Sequence, residues 1–260
     1  MPVSTYFFAT AAKSAVGLVR AGNEDAALTS TNLVAVADGM GGHAAGEVAS
    51  KIAITHLAHK LETITKPELD LESADDLFAQ SVIDIDKELA WATDQNPSVT
   101  GMGTTLSALF LREDSVALLH VGDSRIYRLR GNAFEQLTLD HTVIRELLEQ
   151  GTITESEVAT HPQRSVLTQV LMGDGRNQPT LSLFEVKEND RFLLCSDGLS
   201  GAVTDKEMKA IIKDKARGGA VDALVDAAYI NGAPDNVTVI VADVLTNNIQ
   251  EPITFLGAAK

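Results

Sequence analysis

In a chain of 260 residues, 36 acidic against 21 basic side chains, a formal net charge of −15, argue against nucleic acid as a partner, because phosphate binding needs a basic surface. It is long enough to bury a large core as one domain, and its apolar runs, such as 33–37 and 192–195, are far too short to cross a bilayer. One cysteine, Cys195, excludes an internal disulfide and, with no secretion-signal pattern in residues 1–6, points to a reducing cytoplasm.

Taken in chain order, residues 16–19 and 33–37 read as buried strands, and 44–60 as a helix opening straight after a glycine turn. A second helix is predicted over 74–91, with Ser73 as N-cap and a stop before Asn96-Pro97. Residues 104–111, 116–121, 125–129 and 134–137 read as an antiparallel meander with short turns. A polar, helical stretch follows over 142–173, then strands at 181–186 and 191–195, helices at 205–213 and 219–230, and a last buried strand at 237–244. Clustered strands and paired helices, without strict alternation, predict an α+β fold of antiparallel sheets covered by helices. Residues from 247 onward show no periodicity and read as a tail or the start of a linker.

Three pieces far apart, Val36-Ala37-Asp38-Gly39, Cys195-Ser196-Asp197-Gly198 and Ala233-Pro234-Asp235-Asn236, each place an aspartate beside an apolar run. Strand ends carry such residues to one edge of a sheet, and a following glycine permits a sharp turn. Converging carboxylates repel unless cations hold them, and an oxygen-only set selects hard ions such as Mg²⁺ or Mn²⁺. The chemistry expected is metal-assisted hydrolysis.

These pieces, with Arg20 to Asp25, Gly101-Met102-Gly103-Thr104-Thr105, His120-Val121-Gly122-Asp123-Ser124-Arg125 and Leu137-Thr138-Leu139-Asp140-His141, resemble in residue and in order the bacterial form of the metal-dependent PPM (type 2C) family of protein serine/threonine phosphatases. The resemblance runs over about residues 10–245. It implies a four-layer sandwich of two antiparallel sheets flanked by helix pairs, with a catalytic domain over 1–245, a small helical flap at about 142–180 and a tail or linker at 246–260. It implies phosphoserine and phosphothreonine hydrolysis by a metal-activated bridging hydroxide. Asp38 would bridge two Mn²⁺ or Mg²⁺ ions, the Gly39 carbonyl would sit on one, and Asp197 and Asp235 on the other. Glu24 would orient water, Arg20 would grip the phosphate with its planar fork, and Asp123 with Asp197 would hold a third ion. It implies a monomer acting on phosphoproteins, opposing a serine/threonine kinase, and tethered to a membrane if the chain continues past residue 260 as some actinobacterial members do. The rival readings are a pseudophosphatase scaffold, against which the three aspartates stand, and a phosphatase of a sigma-factor antagonist switch.

Cys195 lacks the arginine six positions on that a cysteine-dependent phosphatase needs, since Gly201 stands there, and it reads as an apolar strand residue. His56 and His59, one turn apart, lack the glutamate and third ligand of a zincin and read as helix-surface residues. His43, beside the metal turn, is a candidate for substrate or proton handling. Ser124 and Arg125 read as bracing a strand turn, the stretch with His161 as a loop governing access, and Trp91 as core.

Overall fold

In chain order the elements of the computed structural model are β1 (Phe7–Ala15), β2 (Ala26–Thr29), β3 (Leu33–Ala37), β4 (Gly39–Met40), α1 (Ala45–Ile64), α2 (Leu71–Gln95), β5 (Gly103–Thr104), β6 (Leu106–Arg112), β7 (Ser115–Val121), β8 (Arg125–Arg130), β9 (Ala133–Gln136), α3 (Val143–Glu149), α4 (Glu155–Val158), β10 (Leu181–Glu185), β11 (Arg191–Cys195), α5 (Asp197–Ser200), α6 (Asp205–Asp214), α7 (Arg217–Ile230), β12 (Val237–Leu245) and β13 (Thr254–Gly257). The structure describes residues 6–41, 45–158, 161–177, 180–246 and 251–260. One sheet orders five strands as β1-β12-β11-β8-β9, the other six as β10-β7-β6-β3-β2-β13, and the ladders are antiparallel.

Side chains alternate across a strand, so each apolar run supplies two faces. On β3, Leu33, Ala35 and Ala37 join the cluster that holds Ile54, Leu57, Phe78 and Ile85 of α1 and α2. Val34 and Val36 point the other way, into a cluster with Ile126, Phe192, Leu194 and Ile240 of the five-stranded sheet. On β12, Val237, Val239 and Val241 face Met208, Leu224 and Val225 of α6 and α7, while Ile240, Ala242 and Val244 face the six-stranded sheet. Both sheets are therefore covered on both sides, which is why these strands read as unbroken apolar runs. The result is the expected α+β sandwich of four layers, α1 and α2, six strands, five strands, then α6 and α7. Phe8 and Phe192 meet edge-on between the sheets with centroids 6.1 Å apart, and each buried ring of this kind contributes about 1.5–3 kcal/mol by its removal from water.

Several expectations change. The strand expected at 16–19 is loop, with Val16, Leu18 and Val19 exposed. The strand is β1, whose FFATAAKSA has too few branched residues to announce itself and is held by β12 along its full length, Phe7 opposite Leu245 and Ala15 opposite Val237. Helix α2 starts earlier than expected, because Asp70 is the N-cap and accepts the Ser73 N–H at 2.8 Å. Trp91 is 65% exposed on α2, not core. Of the stretch read as helical over 142–173, only α3 and α4 are helix among the described residues. The rest is held at its base by Val143 N–H to Val166 O and Thr168 N–H to His141 O, each 2.9 Å. Buried Asp86 on α2 accepts the N–H groups of Met172, Gly173 and Gly175 at 3.2, 2.8 and 2.7 Å. The segment read as tail over 246–260 contains β13, which pairs with β2 from Thr254 opposite Thr29 to Gly257 opposite Ala26. Four residues carry no legible period, and the open edge of β2 supplies what the sequence does not. No helix among the described residues is long and apolar enough to cross a membrane.

Candidate active site

Antiparallel pairing decides which chain ends meet. β3 and β7 both pair antiparallel with β6, so they run the same way and deliver Asp38 and Asp123 to one end of their sheet. β2 starts opposite the end of β3, Ala26 against Ala37, which puts Asp25 at that end too. In the other sheet Cys195, the last residue of β11, stands opposite Arg125 and Val239, so Asp197 and the Asp235 turn before β12 share an end with the start of β8. The glycines after the aspartates serve close approach, not turning. Neither Gly39 nor Gly198 has a positive φ. A Cβ on Gly39 would strike the Gly46 carbonyl and one on Gly198 the Asn236 carbonyl, so the missing side chains let α1 pack on the Asp38 turn and α5 on the Asp235 turn.

The electrostatics of this end are those of negative charge out of water. Asp25 is wholly buried. Its Oδ2 accepts the Ser196 hydroxyl at 2.7 Å, its Oδ1 has no protein partner, and burial, with the Asp197 and Asp235 charges adding to it, pushes its carboxyl up to about 7. Asp38 is held well above the carboxylate range by burial and then by Asp25, Asp197 and Asp123. Burial and the charge of Asp235 raise Asp197, against a hydrogen bond with Asp38. Asp123 is pushed up to about 7 by burial and then by Asp197 and Asp140. Buried carboxylates this close are costly unless protonated or countered by cations. The orphaned Asp25 oxygen, inside an all-oxygen cluster, fits a hard divalent ion.

The structure brings the expected residues to this end with some surprises. Arg20 stands half-exposed at the rim and donates from Nη2 to Asp235 Oδ2 at 2.6 Å, which is the first cause of its raised pKa. Glu24 lies beside it, raised by burial against the pull of Arg20. Gly39 is buried in β4, paired with Thr104. His43 lies outside the described residues. Among the described residues no three His, Cys, Asp or Glu side chains close on a single point as they stand, since Asp235 is turned to Arg20 and Asp38 bonds Asp197. Cys195 is buried and its thiol is pushed up to about 12 by that burial, the opposite of what a nucleophile needs.

Three residues that the sequence places only inside motifs, with no role assigned, help to build this end. Asp25, next to Glu24, immediately precedes β2 and is wholly buried. Thr105 fixes the Asp38 turn: Asp38 N–H donates to its Oγ1 and Thr105 N–H to Asp38 O, both at 2.9 Å, and the same hydroxyl bonds Ser124 at 2.8 Å, next to Asp123. Asn236 staples the arginine loop, with Nδ2 donating to Val16 O and Gly22 O and Oδ1 accepting Glu24 N–H, all at 2.8 Å. Its signal was its place next to Asp235. Ser124 and Arg125 brace the turn as expected, Arg125 gripping Asp140 at 2.6 Å.

Between this end and the segment carrying α3 and α4 lies a cavity of about 620 Å³, lined by Asp123, Asp197 and Asp235 on one side and by Thr142, Arg164 and Ser165 on the other. A sandwich whose sheet ends gather buried oxygens beside an arginine, under such a segment, defines a class of site: one suited to hard divalent ions and a phosphorylated ligand. The model of the family described as protein phosphatase 2C matches residues 21–224. The chain is 42% identical over 252 residues to the serine/threonine protein phosphatase PstP of Mycobacterium tuberculosis, covering 96% of this chain but 47% of that protein, so it spans about half that relative's length. It is 34% identical to the serine/threonine phosphatase stp of Listeria monocytogenes, covering 87% of this chain and 92% of that one. A solved structure of the catalytic domain of PstP in complex with two manganese ions superposes with a TM-score of 0.84 at 39% identity, covering 92% of this chain and 99% of that one. The chain belongs to the protein phosphatase 2C family.

Proposed function

We propose that this chain hydrolyses phosphoserine and phosphothreonine in proteins with the help of two Mn²⁺ or Mg²⁺ ions, and that a third ion sits at Asp123 and Asp197. The observation that carries the reading is the gathering of Asp25, Asp38, Asp123 and Asp197 at one end of the sandwich, where Asp25 is wholly buried with an oxygen that has no partner and Asp123, Asp197 and Asp235 line the cavity. The residues that would hold the ions are Asp38, the Gly39 carbonyl, Asp197 and Asp235. Bound there, the ions supply acidified water and neutralise charge on the phosphoryl group. The chain's own residues do the rest. Arg20, which donates to Asp235 as it stands, offers a planar fork for phosphate oxygens, and turning to them would leave the Asp235 carboxylate available to an ion. Asn236 and Thr105 hold the Arg20 loop and the Asp38 turn in place. The substrate would be a phosphoprotein that reaches the cavity past the α3–α4 segment, a serine/threonine kinase among them, and the lone free thiol fits a reducing cytoplasm.

The test is phosphate release from a phosphothreonine peptide. Activity should require added Mn²⁺ or Mg²⁺, vanish with EDTA and return on readdition; turnover in chelator-treated protein would sink the reading. Cys195→Ala should keep most of that activity and lose about 1 kcal/mol of stability, since the thiol only packs. A folded, metal-binding but inactive Cys195→Ala protein would demand thiol chemistry instead.

A further inference from the structure

The described segment beyond residue 250 ends beneath the carboxylate cluster. β13 closes on the edge of β2 with Gly257 opposite Ala26, and the Ala258 N–H donates to the Asp25 carbonyl at 2.8 Å. The start of the segment is tied as firmly. Both Glu251 carboxylate oxygens accept the Thr10 N–H at 3.1 Å, Oε2 also takes the Thr10 hydroxyl at 2.5 Å, and the Glu251 N–H donates to the Thr31 hydroxyl at 2.8 Å. Between the two ties, Phe255 packs on the α1–α2 cluster and Leu256 on the cluster between the sheets. Gly257 has φ +62°, and a Cβ there would strike the Asp25 carbonyl oxygen, a backbone atom that cannot swing aside. The Asp25 side chain on the other side of that backbone is the wholly buried one whose Oδ1 lacks a partner.

We propose that residues 251–258 are a strap that positions Asp25, and through it sets how tightly the site holds divalent ions. The proposal rests on the metal reading above. An edge strand tied at Glu251 and packed through Phe255 and Leu256 would stabilise the sheet wherever it ended. Ending with Gly257 and Ala258 against the Asp25 carbonyl makes the same strand part of the ion site's support, because Asp25 accepts at 2.7 Å the hydroxyl of Ser196, the residue before the proposed ligand Asp197, and groups behind a ligand fix its direction.

Calorimetric titration of the full chain with Mn²⁺, alongside melting temperatures in EDTA, tests the strap. Gly257→Ala should weaken Mn²⁺ binding by roughly ten- to a hundredfold, the range seen when outer-shell support is lost. Leu256→Ala, which loses packing without touching Asp25, should lower the melting temperature and leave Mn²⁺ binding unchanged. Glu251→Ala releases the far tie and should weaken binding in the same direction by less. If Gly257→Ala fails to fold, Glu251→Ala compared with Leu256→Ala carries the same decision. Unchanged Mn²⁺ binding in Gly257→Ala, or losses that follow melting temperature across the variants, would overturn the strap alone. A parent chain that binds no Mn²⁺ would overturn the metal reading and the strap with it.

Discussion

Asp38→Ala should lose about a thousandfold or more of its turnover on a phosphothreonine peptide at saturating Mn²⁺, equivalent to at least about 4 kcal/mol of transition-state stabilisation. The size follows from position. Asp38 is proposed to face both ions, so its removal dismantles the centre where any other single change trims it. The same substitution should not destabilise the metal-free protein. Burial and the charges of Asp25, Asp197 and Asp123 hold the Asp38 carboxyl well above its ordinary value, so keeping it in the metal-free site costs the fold free energy, whether by uptake of a proton or by charge held out of water. The turn that carries it is fixed through backbone atoms, Asp38 N–H to Thr105 Oγ1 and Thr105 N–H to Asp38 O, and these bonds survive the substitution. The expected pattern is therefore activity gone while the melting temperature in EDTA is equal or higher. Turnover within tenfold of the parent would remove Asp38 from the site. A collapse of the melting temperature in EDTA would mean that the carboxylate braces the fold.

How far the sequence carries the site depends on which interactions make each part. Asp38, Asp197 and Asp235 are legible because each adjoins an apolar strand, and a strand end is a place that local pattern can specify. The sandwich is legible for the same reason: β3, β11 and β12 are buried on both faces and read as continuous apolar runs. What the sequence hides is whatever a distant partner creates. β1 is a strand because nine residues of β12 face it, and β13 because β2 has an open edge. Asp86 looks like one more acid on a polar helix face until the loop at 172–175 folds its N–H groups onto it. Which of the neighbours Glu24 and Asp25 is wholly buried is hidden in the same way, because the register of β2 against β3 decides it. The glycines show the converse. Asp-Gly suggests a turn, yet Gly39 and Gly198 are small so that Gly46 and Asn236 can come close, and no local pattern distinguishes the two uses.

Asp123→Asn should lose activity unequally, by about a hundredfold or more on a phosphothreonine peptide and far less on p-nitrophenyl phosphate. The inequality comes from the leaving groups. A threonine alkoxide is too basic to depart without a proton, whereas p-nitrophenolate needs little help. The asparagine keeps the size of the side chain and one oxygen but removes the charge that most favours a hard cation. Acid for the leaving oxygen is the chemistry that a third ion at Asp123 and Asp197 would supply. The site around Asp123 favours such an arrangement over a merely structural one. Its carboxyl is pushed up to about 7 by burial and by Asp197 and Asp140. The bracing of the turn is already done by others, Ser124 bonding Thr105 at 2.8 Å and accepting the Ser107 hydroxyl on its carbonyl at 2.6 Å, and Arg125 gripping Asp140. A residue that only braced the turn would lower both rates together, in step with the melting temperature. Both rates and the melting temperature measured on one preparation separate the cases. Equal losses on the two substrates would leave Asp123 a bracing residue and the site with two ions, whereas an unequal loss at an unchanged melting temperature places the acid there.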